Sequence, residues 1–127
     1  MMLSNLLRDF PAAALNAQEE TFEALLARPD IRIERIISTG QASPADFWYC
    51  QPQDEWVLIV QGSAGLQFAD EAGVRELRAG DFVNIAAQRQ HRVAWTAAGE
   101  TTIWLAVHYG DLTALPAENA PSVSRDS

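Results

Sequence analysis

The sequence predicts an all-β domain, a sandwich or barrel built from short strands. Three observations predict it. From Ile31 onward, short alternating or apolar runs recur about every ten residues. The gaps between them carry turn chemistry: Ser43-Pro44, Pro52-Gln53-Asp54, Gly62 to Gly65, Asp70 to Gly73, Ala79-Gly80-Asp81 and Ala98-Gly99. No helical periodicity lies between the runs, as the crossover helices of a parallel sheet would require. A chain of 127 residues is one domain in length, and 48% hydrophobic with 20% charged residues is a globular composition.

The first thirty residues, 1–30, read as a helical lead. Asn16 and Glu19 have capping-box spacing, and Phe22, Leu25 and Leu26 then recur at i, i+3 and i+4. Arg28 falls in the last turn and Pro29 stops the helix. An earlier short helix is expected over Leu3 to Asp9, ended near Pro11. Both are expected to pack on the outside of the domain.

The strand domain spans residues 31–112. Ile31 and Ile33 alternate with Arg32 and Glu34 before Ile36 and Ile37, and the run ends at Gly40. Further strands are expected at Phe47–Gln51, Glu55–Gln61, Leu66–Phe68, Val74–Arg78, Phe82–Ile85, His91–Trp95 and Thr101–Tyr109. The remainder, 113–127, is Pro-, Ser- and Ala-rich without periodicity from Pro116 on and reads as a disordered tail.

Composition limits the chemistry. One cysteine, Cys50, excludes an internal disulfide and any multi-cysteine metal site, and it reads as a small buried hydrophobe. Two histidines, His91 and His108, cap an imidazole-built site at two nitrogen ligands. Nine arginines, no lysine and 17 acidic residues give a net charge of −8, which argues against a nucleic-acid partner. No purely apolar run exceeds five residues, as in Trp56 to Val60, which is too short to span a bilayer, and Met1 to Phe10 is no secretory segment. A cytoplasmic protein with no membrane partner is the expectation.

Two stretches carry the candidate site. In Phe47 to Gly62, alternation puts Glu55, Val57 and Ile59 on one face and Trp56, Leu58 and Val60 on the other. Both faces are apolar, so both are expected to be buried. A carboxylate there is costly unless it is paired, protonated or bound to a cation. In Gly80 to Trp95, His91 opens a strand on which Val93 and Trp95 share its face. If that face is the interior, His91 points where Glu55 points. The parity of His108 is left open.

These stretches resemble the two motifs of a small single-domain cupin, over about Ile31 to Tyr109. The first motif is G-x(5)-H-x-H-x(3,4)-E-x(6)-G, and Glu55 and Gly62 match its second half. Its histidine positions fall on Tyr49 and Gln51, or on Trp48 and Cys50 with the longer spacing. The second motif is G-x(5)-P-x-G-x(2)-H-x(3)-N; Gly80 and His91 match, with Ala86, Gln88 and Trp95 in place of Pro, Gly and Asn. The resemblance implies a double-stranded β-helix (jelly-roll) cupin barrel with a short N-terminal helical segment, and a homodimer. It also implies a metal site at Tyr49, Gln51, Glu55 and His91. Of these, Glu55, His91 and the Gln51 carbonyl oxygen are ligands that could hold a divalent ion such as Mn, Fe, Ni or Zn.

Two functions follow as expectations. One is a binding module that takes a small polar molecule, sugar- or carboxylate-like, inside the barrel. The other is a cupin enzyme, isomerase- or dioxygenase-like, using Glu55 and His91 as metal ligands. Without a metal, His91 and Tyr49 would move protons. Gln51 reads as a ligand-binding residue, and Arg89 and Arg92, flanking His91, as cations that could attract a substrate.

Overall fold

The computed structural model describes residues 4–111. Eight strands follow a five-residue 3-10 turn at Ala12–Asn16: β1 (Thr21–Arg28), β2 (Ile31–Ser38), β3 (Asp54–Gln61), β4 (Ser63–Phe68), β5 (Val74–Arg78), β6 (Phe82–Ile85), β7 (His91–Thr96) and β8 (Thr102–Tyr109). They form two antiparallel sheets, one in the order β1-β2-β8-β3-β6 and the other β5-β4-β7. The inner faces meet in one apolar core that includes Val57, Ile59, Leu66, Phe68, Ile85 and Trp104. Among the described residues no helix is long and apolar enough to cross a membrane. The expected tail, 113–127, lies outside the described residues.

The helical reading of the lead is corrected. Among the described residues of the lead only the 3-10 turn at Ala12–Asn16 is helical, and it has no side-chain cap. The segment expected to be its main helix is β1, which pairs with β2 from Thr21↔Ile37 to Arg28↔Ile31. Pro29-Asp30 is therefore a two-residue hairpin turn rather than a helix stop. The misleading spacing has a physical origin in a bulge between Ala24 and Leu26, which breaks the period-2 alternation. Leu25 and Leu26 are both exposed while Phe22 packs against the core, so the three residues of the apparent stripe do not share one buried face. Leu6 to Arg8 forms a turn where the first short helix was expected.

That lead is held against the outer face of the sheet by Arg35. The buried guanidinium donates to the carbonyl oxygens of Leu6 (3.2 Å), Arg8 (2.7 Å) and Asp9 (3.3 Å), and pairs with Glu23 at 2.5 Å. It also lies 4.9 Å from the centre of the Phe10 ring. Five donors in a fixed fork suit a segment whose carbonyls have no ladder partner. Ala14, Ile37 and Ile103 form a small second core under this segment.

Three further expectations change. Phe47–Gln51 makes a single bridge, Tyr49↔His91, instead of a strand. Ser43-Pro44 and Pro52 bracket it, and the Gln51 carbonyl is taken by the Gln88 amide. Cys50 is exposed rather than buried. On β3 only the Glu55, Val57, Ile59 face is fully buried; Trp56, Leu58 and Val60 are half-buried.

On β7 a bulge opposite Gly65 and Leu66 shifts the alternation, so Trp95 is exposed and Thr96 buried. Gly65 permits this arrangement. A Cβ there would stand 2.2 Å from the Trp95 indole nitrogen, so the ring occupies the space a side chain would take.

Gly62 is the corner where the chain leaves the five-stranded sheet for the other. Its φ is +87°, and a Cβ would lie 2.8 Å from the Thr102 Cα and 3.0 Å from the Thr101 carbonyl oxygen. Gly62→Ala is expected to cost about 2–5 kcal/mol, because left-handed strain adds to a backbone clash. Gly99→Ala, at φ +77° but with nothing within 4 Å, is expected to cost about 1 kcal/mol. Urea unfolding of the two variants checks the difference.

Candidate functional site

The register of three strands builds the polar part of the interior. β8 pairs with β2 and β3 on either side, placing His108 opposite Arg32 and opposite Glu55. Directly opposed residues of neighbouring strands point to the same face, so these three side chains form one row. His91 enters from β7 in the other sheet. Glu55 stands between the two imidazoles, 3.9 Å from the Nε2 of His91 through one oxygen and 3.9 Å from the Nε2 of His108 through the other. All three side chains are buried.

Each imidazole is oriented by a second partner. His91 Nδ1 lies 2.9 Å from the Arg89 carbonyl oxygen, which can only accept, so Nδ1 carries the proton and Nε2 faces Glu55. The Tyr49 ring stacks on His91 with centroids 5.4 Å apart and planes at 21°. His108, fully buried, places Nε2 3.3 Å from the Glu34 carboxylate, and Glu34 pairs in turn with Arg32 at 3.3 Å. The parity left open in the sequence is thus settled inward.

A half-open cavity of about 40 Å³ reaches this centre, lined by Tyr49, Gln51, Glu55 and His91 with Glu20, Phe22 and Trp104 among others. It has room for a few waters or one small group. Gln51 is 7% exposed, and its side-chain oxygen is buried without a hydrogen-bond partner. Glu20 and Phe22 are site residues that the sequence reading did not identify. Glu20 and Phe22 have the i, i+2 spacing of a strand, a signal that the helical reading of the lead concealed.

Arg89 and Arg92 lie outside the cavity lining. Arg89 stacks over the Phe68 ring at 3.6 Å and pairs with Asp70 (2.9 Å) and Glu71 (3.0 Å). Arg92 donates to the Gln67 side chain and to the Ser43 and Pro44 carbonyls, pinning the segment that leads to Tyr49. The Arg89 hydrogen bond holds the Asp70 carboxyl below its ordinary range. Arg75, with Arg89 behind it, does the same for Glu71.

No family model and no curated relative matches the chain. Solved structures do. A Ralstonia eutropha JMP134 protein, provisionally described as a mannose-6-phosphate isomerase, is 50% identical with a TM-score of 0.80, over 86% of this chain and 98% of its own. An RmlC-like cupin from Methanocaldococcus jannaschii, with a double-stranded β-helix fold, aligns at a TM-score of 0.63 and 14% identity over 81% and 88% of the two chains. An RmlC-like cupin from Shewanella frigidimarina aligns at 0.61 and 12%, over 73% and 78%. The chain belongs to the cupin superfamily.

Its donor set does not fit the metal centre that the motif resemblance implies. The motif-one histidine positions carry Tyr49, whose ring stacks on His91, and Gln51, a neutral amide. The one other imidazole, His108, is turned toward Glu34. Among the described residues no group of three or more His, Cys, Asp and Glu side chains is arranged to hold an ion. What this cupin presents instead is a carboxylate, an imidazole nitrogen and an amide oxygen facing a small cavity.

The Arg89 network yields a pH dependence. Its two carboxyls are depressed in the folded state, so their stabilisation is present above the unfolded values and lost as pH falls through the folded ones. The melting-temperature gap between wild type and Arg89→Ala is therefore expected to be full near pH 7 and to narrow at about pH 3, in the acid range of ordinary carboxylates. Thermal melts at the two pH values check it.

Proposed function

We propose that this cupin is a binding module that takes a small polar molecule into the barrel interior, with Gln51, Glu55 and His91 as its contacts. The observation that carries the reading is the Gln51 side-chain oxygen, buried and unpartnered on the wall of the cavity that Glu55 and His91 also line. A buried acceptor without a partner costs about 1–3 kcal/mol, which a ligand donor would recover. Of the two ligand classes expected from the sequence, a hydroxyl-rich, sugar-like molecule suits this wall better than a carboxylate. Neither Arg89 nor Arg92 is among the lining residues to receive an anion.

A second reading, an enzyme, draws support from the description of the 50% identical Ralstonia protein as an isomerase. Moving a proton between adjacent carbons of a sugar needs a base and an acid. His91 Nε2, freed by the Nδ1 bond to Arg89, would serve as base and the Tyr49 hydroxyl as acid. Sugars added to the protein are expected to raise its melting temperature without being converted, as followed by NMR. Conversion abolished in His91→Ala would establish the enzyme instead.

The metal-dependent alternative has its own test. Elemental analysis of freshly purified protein is expected to find no stoichiometric divalent ion, and added Mn²⁺, Fe²⁺, Ni²⁺ or Zn²⁺ to leave the melting temperature in place. Stoichiometric metal lost in both Glu55→Ala and His91→Ala would reverse that expectation.

A homodimer and a cytoplasmic location belong to the same proposal. The outer face of the large sheet supports the dimer: Trp56 and Phe82 are in ring contact at 5.5 Å, and Phe82 is 64% exposed beside Leu58. Aromatic residues placed this way are typical interface anchors. Phe82→Asp is expected to shift the mass measured by sedimentation from two chains to one, and an unchanged mass would remove this face from consideration.

A further inference from the structure

We infer that the molecule this cavity takes carries a protonated primary amine. The inference rests on the binding reading above and names the chemistry of its ligand.

The argument begins with the charges on the wall. Two carboxylates line the cavity, Glu20 and Glu55, and no arginine is among the described residues that line it. The arginines nearest in sequence to His91 are engaged elsewhere, Arg89 by Asp70 and Glu71 and Arg92 by Gln67 and two carbonyls. The polar atoms facing the space are mostly acceptors. They are the Glu20 and Glu55 carboxylates and the unpartnered Gln51 oxygen. A phosphate or carboxylate would meet like charge with no arginine among the described lining residues to receive it. An ammonium group brings a positive charge and three N–H donors.

Two further features fit the same group. The Glu20 carboxylate is held in place through a relay: Trp104 Nε1 donates to the Ser38 hydroxyl at 3.1 Å, and that hydroxyl donates to Glu20 at 2.5 Å. Ser38 is fully buried, so the carboxylate is positioned before any ligand arrives. The rest of the wall is largely aromatic and aliphatic, with Phe22, Tyr49 and Trp104 around the acceptors. Ring faces attract cations, and the apolar wall accepts the short carbon chain that follows the nitrogen.

Ethylamine and glucosamine are the probes, measured by calorimetry near neutral pH against ethanol, glucose, acetate and inorganic phosphate. Glucosamine against glucose isolates the amine on a sugar, and ethylamine against ethanol isolates it on a bare chain. At least one amine is expected to bind about tenfold or more tightly than its hydroxyl counterpart, with acetate and phosphate not competing. Glu55→Gln and Glu20→Gln, which keep side-chain shape, are each expected to weaken the amine about tenfold. Unchanged circular dichroism of the two variants would establish that they fold. Tetramethylammonium, a cation without N–H donors, is expected to bind more weakly than ethylamine.

Equal binding of amine and hydroxyl compounds overturns the inference and leaves the binding module intact. Competition by phosphate overturns it as well. If no amine binds while a sugar does, the amine is wrong and the sugar-like reading stands; if neither binds, both fall. Binding unaffected by Glu20→Gln and Glu55→Gln places the amine outside this cavity and ends the inference.

Discussion

The pairing of β8 between β2 and β3 is the constraint on which the rest of this barrel's chemistry depends. Its register sets Arg32, His108 and Glu55 side by side on the inner face. A one-residue slip of β8 would turn His108 toward solvent, away from Arg32 and Glu55, and bring its apolar neighbour Val107 inward. Because an interior carboxylate is costly on its own, the same row must provide for it. Imidazoles lie on either side of Glu55, and behind His108 stand Glu34 and Arg32. The apolar core next to this row, with Val57, Ile59 and Ala106 continuing the same strands, resists such a slip. Packing and polarity therefore enforce one register together.

The barrel itself was legible because its signals are local and repeated. Glycine corners, alternation on β3 and the spacing from Gly80 to His91 mark out the strands along the chain and put Glu55 and His91 on faces that meet if both are interior. The lead was misread for an equally definite reason. A bulge in β1 produces apolar residues at helical intervals, and the pairing that makes the segment a strand is made with β2, which a local window cannot evaluate. The wrong assignment concealed Glu20 and Phe22, two members of the cavity wall. Trp95 was placed on the wrong face for the same kind of reason, since the β7 bulge is an agreement between two strands.

His108 illustrates a different limit. Histidine on an otherwise apolar strand, one residue before an exposed tyrosine, gives no indication of its direction, and only the register against Glu55 decides it. The arginines beside His91 show that nearness in sequence is a poor guide to electrostatics in a folded chain. Arg89 acts on His91 through its backbone carbonyl, while its guanidinium is spent on a ring and two carboxylates outside the cavity.

The Arg35 clamp, described above as a fastening for the lead, has a wider consequence. Arg35 ties together the chain's first turns and Glu23 on β1, the strand whose inward-facing Phe22, with Glu20 just before it, closes one side of the cavity. The cavity is thus not a property of the motif-bearing strands alone. Its wall is furnished in part by a segment that bears none of the family's motif residues. Substitutions at Glu20 and Phe22 would therefore reshape the cavity while leaving the Glu55–His91 pair as it is.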